Sequence, residues 1–127
     1  MENANLIMAY HILFVDDDLP LRETLSLYLR RKGIAVTAAA NSEEAKRLAE
    51  KGGFNAIILD VDLGGESGME LLDFFGQKYP ELPVVMFTSA GTDAVLRADA
   101  LARGAKGFFC KTESLGTLLS GVQKVMA

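Results

Sequence analysis

Short apolar runs alternate along this chain with longer stretches of helical spacing, and this alternation is the feature that most constrains its fold. Such alternation is typical of βαβ units built around a parallel sheet. The predicted strands are His11–Val15, Ile34–Thr37, Ala56–Leu59, Val84–Phe87 and Gly107–Cys110. The first, third and fourth are almost unbroken apolar runs, as expected for strands that helices cover on both faces. The second and fifth are therefore predicted to be the edge strands.

Capping and breaking residues place five helices after these strands. Pro20 is tolerated in a first helical turn and Gly33 suits a C-terminal cap, so they bound the first helix. Asn41 and Glu44 resemble a capping box for the second helix, which is expected to end near Lys51. The remaining helices are expected over Gly68–Lys78, from Thr92 or Asp93 to Gly104, and along the stripe Leu115, Leu118, Val122 and Val125. The predicted class is α/β, a doubly wound five-stranded parallel sheet with five helices. For the strand order we adopt the flavodoxin-like 2-1-3-4-5, one of the two common orders of such sheets.

Length, charge and cysteine content limit what such a domain can do. The 127 residues predict one domain over 11–127, preceded by an N-terminal tail over 1–10. A net charge of −4 argues against direct binding of nucleic acid or of an anionic membrane. The apolar run from Leu6 to Val15 is too short to span a bilayer. The single cysteine, Cys110, leaves no internal disulfide, so we expect a reducing, cytoplasmic location.

Reactive side chains follow four of the five predicted strands. They are Asp16, Asp17 and Asp18 after the first, Asp60 after the third, Thr88 and Ser89 at the end of the fourth, and Lys111 after the fifth. In open parallel sheets the ligand crevice lies at the carboxyl ends of the strands, where the strand order reverses. If the order is 2-1-3-4-5, the first and third strands are central neighbours. Asp16, Asp17 and Asp60 then converge on one point, with Thr88 and Lys111 beside it.

Three converging carboxylates repel one another unless a proton, a cation or a metal ion relieves them. Because the candidate ligands are oxygen atoms only, Mg²⁺ fits best. A phosphoryl group on Asp60 would meet Mg²⁺, the Lys111 ammonium and the Thr88 hydroxyl, which together would spread its transition-state charge. Asp18 is interpreted instead as a helix cap, because Pro20 follows it.

Four motifs carry a resemblance that covers about residues 12–125. They are Ile12-Leu-Phe-Val-Asp-Asp17, Ile57-Ile-Leu-Asp60, Met86-Phe-Thr-Ser89 and Gly104-Ala-Lys-Gly-Phe-Phe-Cys-Lys111. In this combination they resemble the response-regulator receiver domain, the phosphoacceptor module of two-component signalling. The resemblance implies that Asp60 accepts a phosphoryl group from a histidine kinase or a histidine phosphotransfer protein.

The resemblance also implies roles for the neighbouring residues. Thr88 and Lys111 would bind the phosphoryl group, and Thr88 and Phe108 would move together as a switch. The face built from the fourth helix, fifth strand and fifth helix would then change, and the family commonly uses this face for partners or homodimers. The implied metal ligands for Mg²⁺ are Asp16, Asp17, Asp60 and the backbone carbonyl of Asp62. Such a domain assists its own phosphorylation and dephosphorylation and is not an enzyme in the usual sense; its output domain or downstream protein stays unknown.

Two departures from the family pattern bear on the site. Asp62 and Ala90 occupy positions that are thought in the family to tune how fast the phosphate is lost. Thr112 follows Lys111 where many members have proline, which often holds that peptide bond cis. Because a cis bond before a residue other than proline costs about 2.5–4 kcal/mol, we predict a trans bond, with the Lys111 ammonium still directed at Asp60.

Three other hypotheses compete with this one. Asp60-Val-Asp62 also resembles the start of haloacid-dehalogenase-type phosphohydrolases, but in this chain the acidic pair precedes that motif. A flavodoxin-like FMN carrier would need a phosphate-binding loop after the first strand, where this chain has three acids. A degenerate receiver could act as a phosphorylation-independent binding scaffold, although every phosphorylation residue is present.

Overall fold

The computed structural model describes residues 10–126, in which five strands alternate with five helices. The strands are β1 His11–Val15, β2 Ala35–Ala39, β3 Ala56–Leu59, β4 Val84–Thr88 and β5 Gly107–Cys110. The helices are α1 Leu19–Arg31, α2 Ser42–Ala49, α3 Gly68–Lys78, α4 Ala94–Ala102 and α5 Leu115–Met126. The predicted N-terminal tail lies outside the described residues, apart from Tyr10.

The strands form one parallel sheet of order β2-β1-β3-β4-β5, which confirms the predicted order and both predicted edge strands. Val15, the last residue of β1, lies opposite Ala39 in β2 and Leu59 in β3. The central strands β1 and β3 therefore end side by side. Whatever follows them in sequence, namely Asp16 and Asp60, starts from neighbouring points on one edge of the sheet.

Helices cover both faces of the sheet, and alternate residues of each strand supply the two cores. Leu13 of β1 packs into a core with α2, α3 and α4, where Phe75 is fully buried. Phe14, the next residue, packs on the opposite face with α1 and α5, around Leu25 and Leu118. This doubly wound arrangement explains why β1, β3 and β4 are apolar at successive positions.

Side-chain caps begin the helices as the sequence suggests. The Asp18 carboxylate accepts a hydrogen bond from the Leu21 amide, which confirms Asp18 as the cap of α1. Asn41 caps α2 through the Glu44 amide at 2.8 Å. The helices α2 and α4 end earlier than predicted, at Ala49 and Ala102. Gly52 and Gly104, which follow these helices, have positive φ and turn the chain out of the helical direction. Within residues 10–126, no helix is both long and apolar enough to cross a membrane.

Candidate functional site

Three carboxylates meet where β1 and β3 end. One oxygen from each of Asp16, Asp17 and Asp60 lies within 4.8 Å of the others. Asp16 is fully buried and Asp60 is 5% exposed, whereas Asp17 is exposed to solvent. The structure thus brings together the three acids that the sequence analysis placed at this point.

Lys111, which directly follows β5, reaches across to these acids. Its Nζ lies 2.7 Å from Asp16 Oδ2 and 2.7 Å from Asp60 Oδ2, and it donates a hydrogen bond to Asp60. Burial opposes the charged ammonium, but the two carboxylates outweigh burial and raise the pKa of Lys111 above its ordinary value. One ammonium does not balance three carboxylates, so the site keeps a negative charge.

Asp16 has the features of a ligand for a hard cation. Burial raises the pKa of its carboxyl group, although Lys111 and the Asp18 amide act in the opposite direction. Its Oδ1 accepts the Asp18 amide at 2.9 Å. Its buried Oδ2 accepts no hydrogen bond of good geometry, even though the Lys111 ammonium is close. Oxygen donors, excess negative charge and this buried Oδ2 fit Mg²⁺.

The loop after β3 packs tightly against the acids. A side chain on Gly68, the first residue of α3, would overlap the carbonyl oxygen of Asp60. A Cβ atom on Gly64, which has φ +66°, would lie 2.8 Å from Asp17 Oδ2. The Asp62 amide is 3.4 Å from Asp60 Oδ1, and the Asp62 carboxylate accepts the Gly65 amide at 3.5 Å.

Thr88 and Phe108 occupy the strands on the other side of the site. Thr88 is buried, and its hydroxyl accepts the Ala90 amide at 3.2 Å while its own hydrogen stays a potential donor. Phe108 is also buried, in the core formed with α2, α3 and α4. Arg97 of α4 donates to the Phe108 carbonyl at 3.2 Å, which ties this helix to the edge strand.

The structure also shows contacts that sequence reasoning missed. Arg22 donates to the Asp16 carbonyl at 2.7 Å, and the Glu66 carboxylate accepts the Ser42 amide at the start of α2 at 2.9 Å. Each joins a side chain to a backbone atom of another segment, and no spacing rule signals such a pair. No peptide bond among the described residues is cis, which confirms the predicted trans bond after Lys111.

Comparisons with known proteins agree with this geometry. The family model of the response regulator receiver domain matches residues 12–123. PilR of Pseudomonas aeruginosa, a response regulator protein, is 35% identical over 107 residues, which are 84% of this chain and 24% of PilR. Chemotaxis protein CheY4 of Vibrio cholerae superimposes with a TM-score of 0.85 at 31% identity, over 92% of this chain and 98% of CheY4. Response regulator TrrA of Thermotoga maritima, solved in complex with Mg²⁺ and BeF, gives 0.82 at 28% identity, over 91% of this chain and 98% of TrrA.

The doubly wound sheet of order β2-β1-β3-β4-β5, with acids, a threonine and a lysine at its strand ends, places the chain in the class of α/β domains with the fold of CheY4. Within that class, the chain belongs to the response regulator receiver domain family of two-component systems. This assignment replaces the phosphohydrolase and flavin-carrier hypotheses. Receiver domains are signalling domains and not enzymes in the usual sense. The chain spans about a quarter of the length of PilR, so most of PilR has no counterpart in this domain.

Proposed function

We propose that this domain is a phosphorylation-dependent switch that accepts a phosphoryl group on Asp60 from a histidine kinase or a histidine phosphotransfer protein. The observation that carries the proposal is the convergence on Asp60. Its Oδ2 is bound by the Lys111 ammonium at 2.7 Å, and Asp16 and Asp17 place further carboxylates within 4.8 Å. Among the described residues, this is where acids gather with ligand spacing.

The chemistry is transfer of a phosphoryl group between two side chains. An Asp60 carboxylate oxygen attacks phosphorus as the bond to the donor histidine nitrogen breaks. The other ring nitrogen of the donor carries a proton during the transfer, so the products are an acyl phosphate on Asp60 and a neutral histidine. The Lys111 ammonium and the Thr88 hydroxyl bind the phosphoryl oxygens and stabilise their charge. The domain assists its own dephosphorylation through the same groups, and Asp62 and Ala90 tune how long the phosphate persists.

Asp16, Asp17, Asp60 and the backbone carbonyl of Asp62 would hold Mg²⁺. When bound, the ion neutralises charge on the acids and on the incoming phosphoryl oxygens. The complex of TrrA with Mg²⁺ and BeF supports this part of the proposal, because a similar fold binds the ion and a fluoride of beryllium together.

The output of the switch is a change in the face formed by α4, β5 and α5. Thr88 moves toward the phosphoryl group, Phe108 follows it, and the face then binds a partner or a second copy of the chain. The domain works in the cytoplasm and binds no nucleic acid itself. An attached output domain or a downstream protein responds to the change in this face.

Phosphorylation by a small donor tests the proposal. In Mg²⁺ and acetyl phosphate, the wild-type chain should gain one phosphate by mass, and Asp60→Asn should gain none. Asp73→Asn, which removes an exposed acid paired with Arg103, is the matched control and should be phosphorylated like the wild type. Phosphate on Asp60→Asn would refute the assignment, and an unmodified wild-type chain would favour the scaffold interpretation.

A further inference from the structure

The open edge of β5 carries a backbone amide whose partner is a side chain. The Lys111 amide donates to the Thr88 carbonyl of β4 at 2.9 Å. The preceding amide, that of Cys110, donates instead to Glu113 Oε1 at 2.9 Å. Successive amides in a strand point to opposite sides, and β5 has a neighbouring strand on one side only. Glu113 therefore satisfies an edge amide that no strand can reach.

Glu113 both accepts a hydrogen bond from Cys110 and donates one to it, which closes the turn formed by residues 110–113. Its own amide donates back to the Cys110 carbonyl at 3.0 Å, so two hydrogen bonds enclose Lys111 and Thr112. The bond to the carboxylate is charge-assisted and therefore the stronger of the two. Cys110 Sγ and Thr112 Oγ1 are 3.0 Å apart within the same turn. Thr112 has no ring to restrict its backbone, so these contacts supply the restraint.

The loop between β4 and α4 also packs against this turn. Gly91, in the loop between β4 and α4, lies so close to Cys110 that a side chain on Gly91 would overlap its Cα atom. Cys110 is therefore held between Gly91 and the Glu113 carboxylate. Lys111, the next residue, is fixed to β4 through its amide and extends its side chain to Asp16 and Asp60.

We propose that Glu113 is a positioning residue that directs the Lys111 ammonium at Asp60 by clamping the turn after β5. The role deepens the proposed function and rests on it, since the value of an oriented ammonium lies in binding the phosphoryl group. The hydrogen bonds of Glu113 go to the amide and the carbonyl of Cys110 and not to the three acids. Its effect passes through the backbone of Cys110 and Lys111.

Two variants separate the clamp from the charge of Glu113. Glu113→Ala removes the acceptor, whereas Glu113→Gln keeps an oxygen at the same place. In Glu113→Ala, hydrogen exchange of the Cys110 amide should accelerate at least tenfold, and phosphorylation by acetyl phosphate should slow about tenfold, because small displacements of a charge-stabilising group are costly to transfer rates. Glu113→Gln should restore most of both. Glu81→Ala, an exposed glutamate outside the site, should match the wild type.

A crystal structure of Glu113→Ala makes the test independent of phosphorylation. The distance from Lys111 Nζ to Asp60 Oδ2 should increase beyond hydrogen-bonding range. An unchanged distance, or equal phosphorylation rates in Glu113→Ala and the wild type, would overturn the positioning role. A wild-type chain that takes up no phosphate would overturn the proposed function, whereas the Cys110 exchange rate and the Lys111 distance would still decide whether Glu113 clamps the turn.

Discussion

The two ends of the parallel strands, called here the amino edge and the carboxyl edge of the sheet, differ in how their polar groups are arranged. At the amino edge, the His11 amide donates to Asn55 Oδ1 at 2.8 Å, and His11 Nε2 lies 2.7 Å from Thr37 Oγ1. The His11 ring also packs on Phe54, with centroids 4.6 Å apart. At the carboxyl edge, two buried acids and an exposed one gather around Lys111. At the amino edge these polar groups are hydrogen-bonded to one another, whereas at the carboxyl edge groups of like charge lie close together.

This difference shows where the domain gives up stability for binding. Like charges held together are unfavourable in the free protein, and a bound cation relieves the repulsion. At the amino edge there is no comparable charge repulsion for a cation to relieve, because the polar groups described there are neutral pairs joined by hydrogen bonds. Substitutions at the carboxyl edge should therefore change how strongly Mg²⁺ stabilises the chain, whereas a substitution at the amino edge should leave this response as it is in the wild type.

The largest effect is expected from Lys111→Met. Removing the cation that faces two buried carboxylates should lower the free energy of unfolding by about 3 kcal/mol in a chelator, as measured by urea denaturation. Millimolar Mg²⁺ should recover part of this loss, because the ion supplies the missing positive charge and stabilises the state that binds it. A variant as stable as the wild type without metal would show that Lys111 does not offset the repulsion.

Asp16→Asn should act in the opposite direction and with a smaller effect. The asparagine oxygen can still accept the Asp18 amide, while the buried negative charge disappears. We expect a gain of about 1 kcal/mol in the chelator and loss of most of the response to Mg²⁺. The surface control Asp73→Asn should change stability by less than about 0.5 kcal/mol and should keep the Mg²⁺ response.

The pH profile in the chelator checks the cause of that gain. Because the folded-state pKa of Asp16 is raised above its ordinary 3.8, the folded chain takes up this proton at a higher pH than the unfolded chain. The wild-type deficit relative to Asp16→Asn should be full above the folded-state pKa and shrink as the pH falls through it toward 3.8. A difference that stays constant with pH would mean that charge burial is not responsible.

The smallest effect is expected at the amino edge. Thr37→Val removes the hydroxyl beside His11 Nε2 without changing the shape of the side chain. Loss of this hydrogen bond should lower the free energy of unfolding by about 1 kcal/mol or less, and by the same amount with and without Mg²⁺. A loss that depended on Mg²⁺ would contradict the separation of the two edges.

Most of the fold could be predicted because strands that are buried on both faces of a sheet consist of consecutive apolar residues. The fully buried runs of β1, β3 and β4 appear as unbroken apolar segments, and their following residues could be placed at one edge. The boundary of β2 was less accurate, since Ala38 and Ala39 carry little signal for a strand. Its observed range is Ala35–Ala39 instead of Ile34–Thr37.

The sequence predicted which charged side chains lie at the candidate site, but it did not predict the side chains that hold the surrounding backbone in place. Asp60 and Lys111 stand out because a charge that follows a buried strand is unusual. Arg22, Glu66 and Glu113 act on backbone atoms of other segments or across a turn. A glutamate near a strand end is in most proteins a solvated surface residue, so its identity alone does not signal a clamp. Those partners depend on how loops approach one another, which periodicity and capping rules do not describe.

Gly68 and Gly91 give the site a genetic consequence. Each stands where a loop touches the backbone of a strand end, beside Asp60 in one case and Cys110 in the other. Every amino-acid replacement that one nucleotide change can produce at a glycine codon adds at least a Cβ atom. Single-nucleotide changes at the codons for Gly68 and Gly91 should therefore disturb the site although they need not alter its charge.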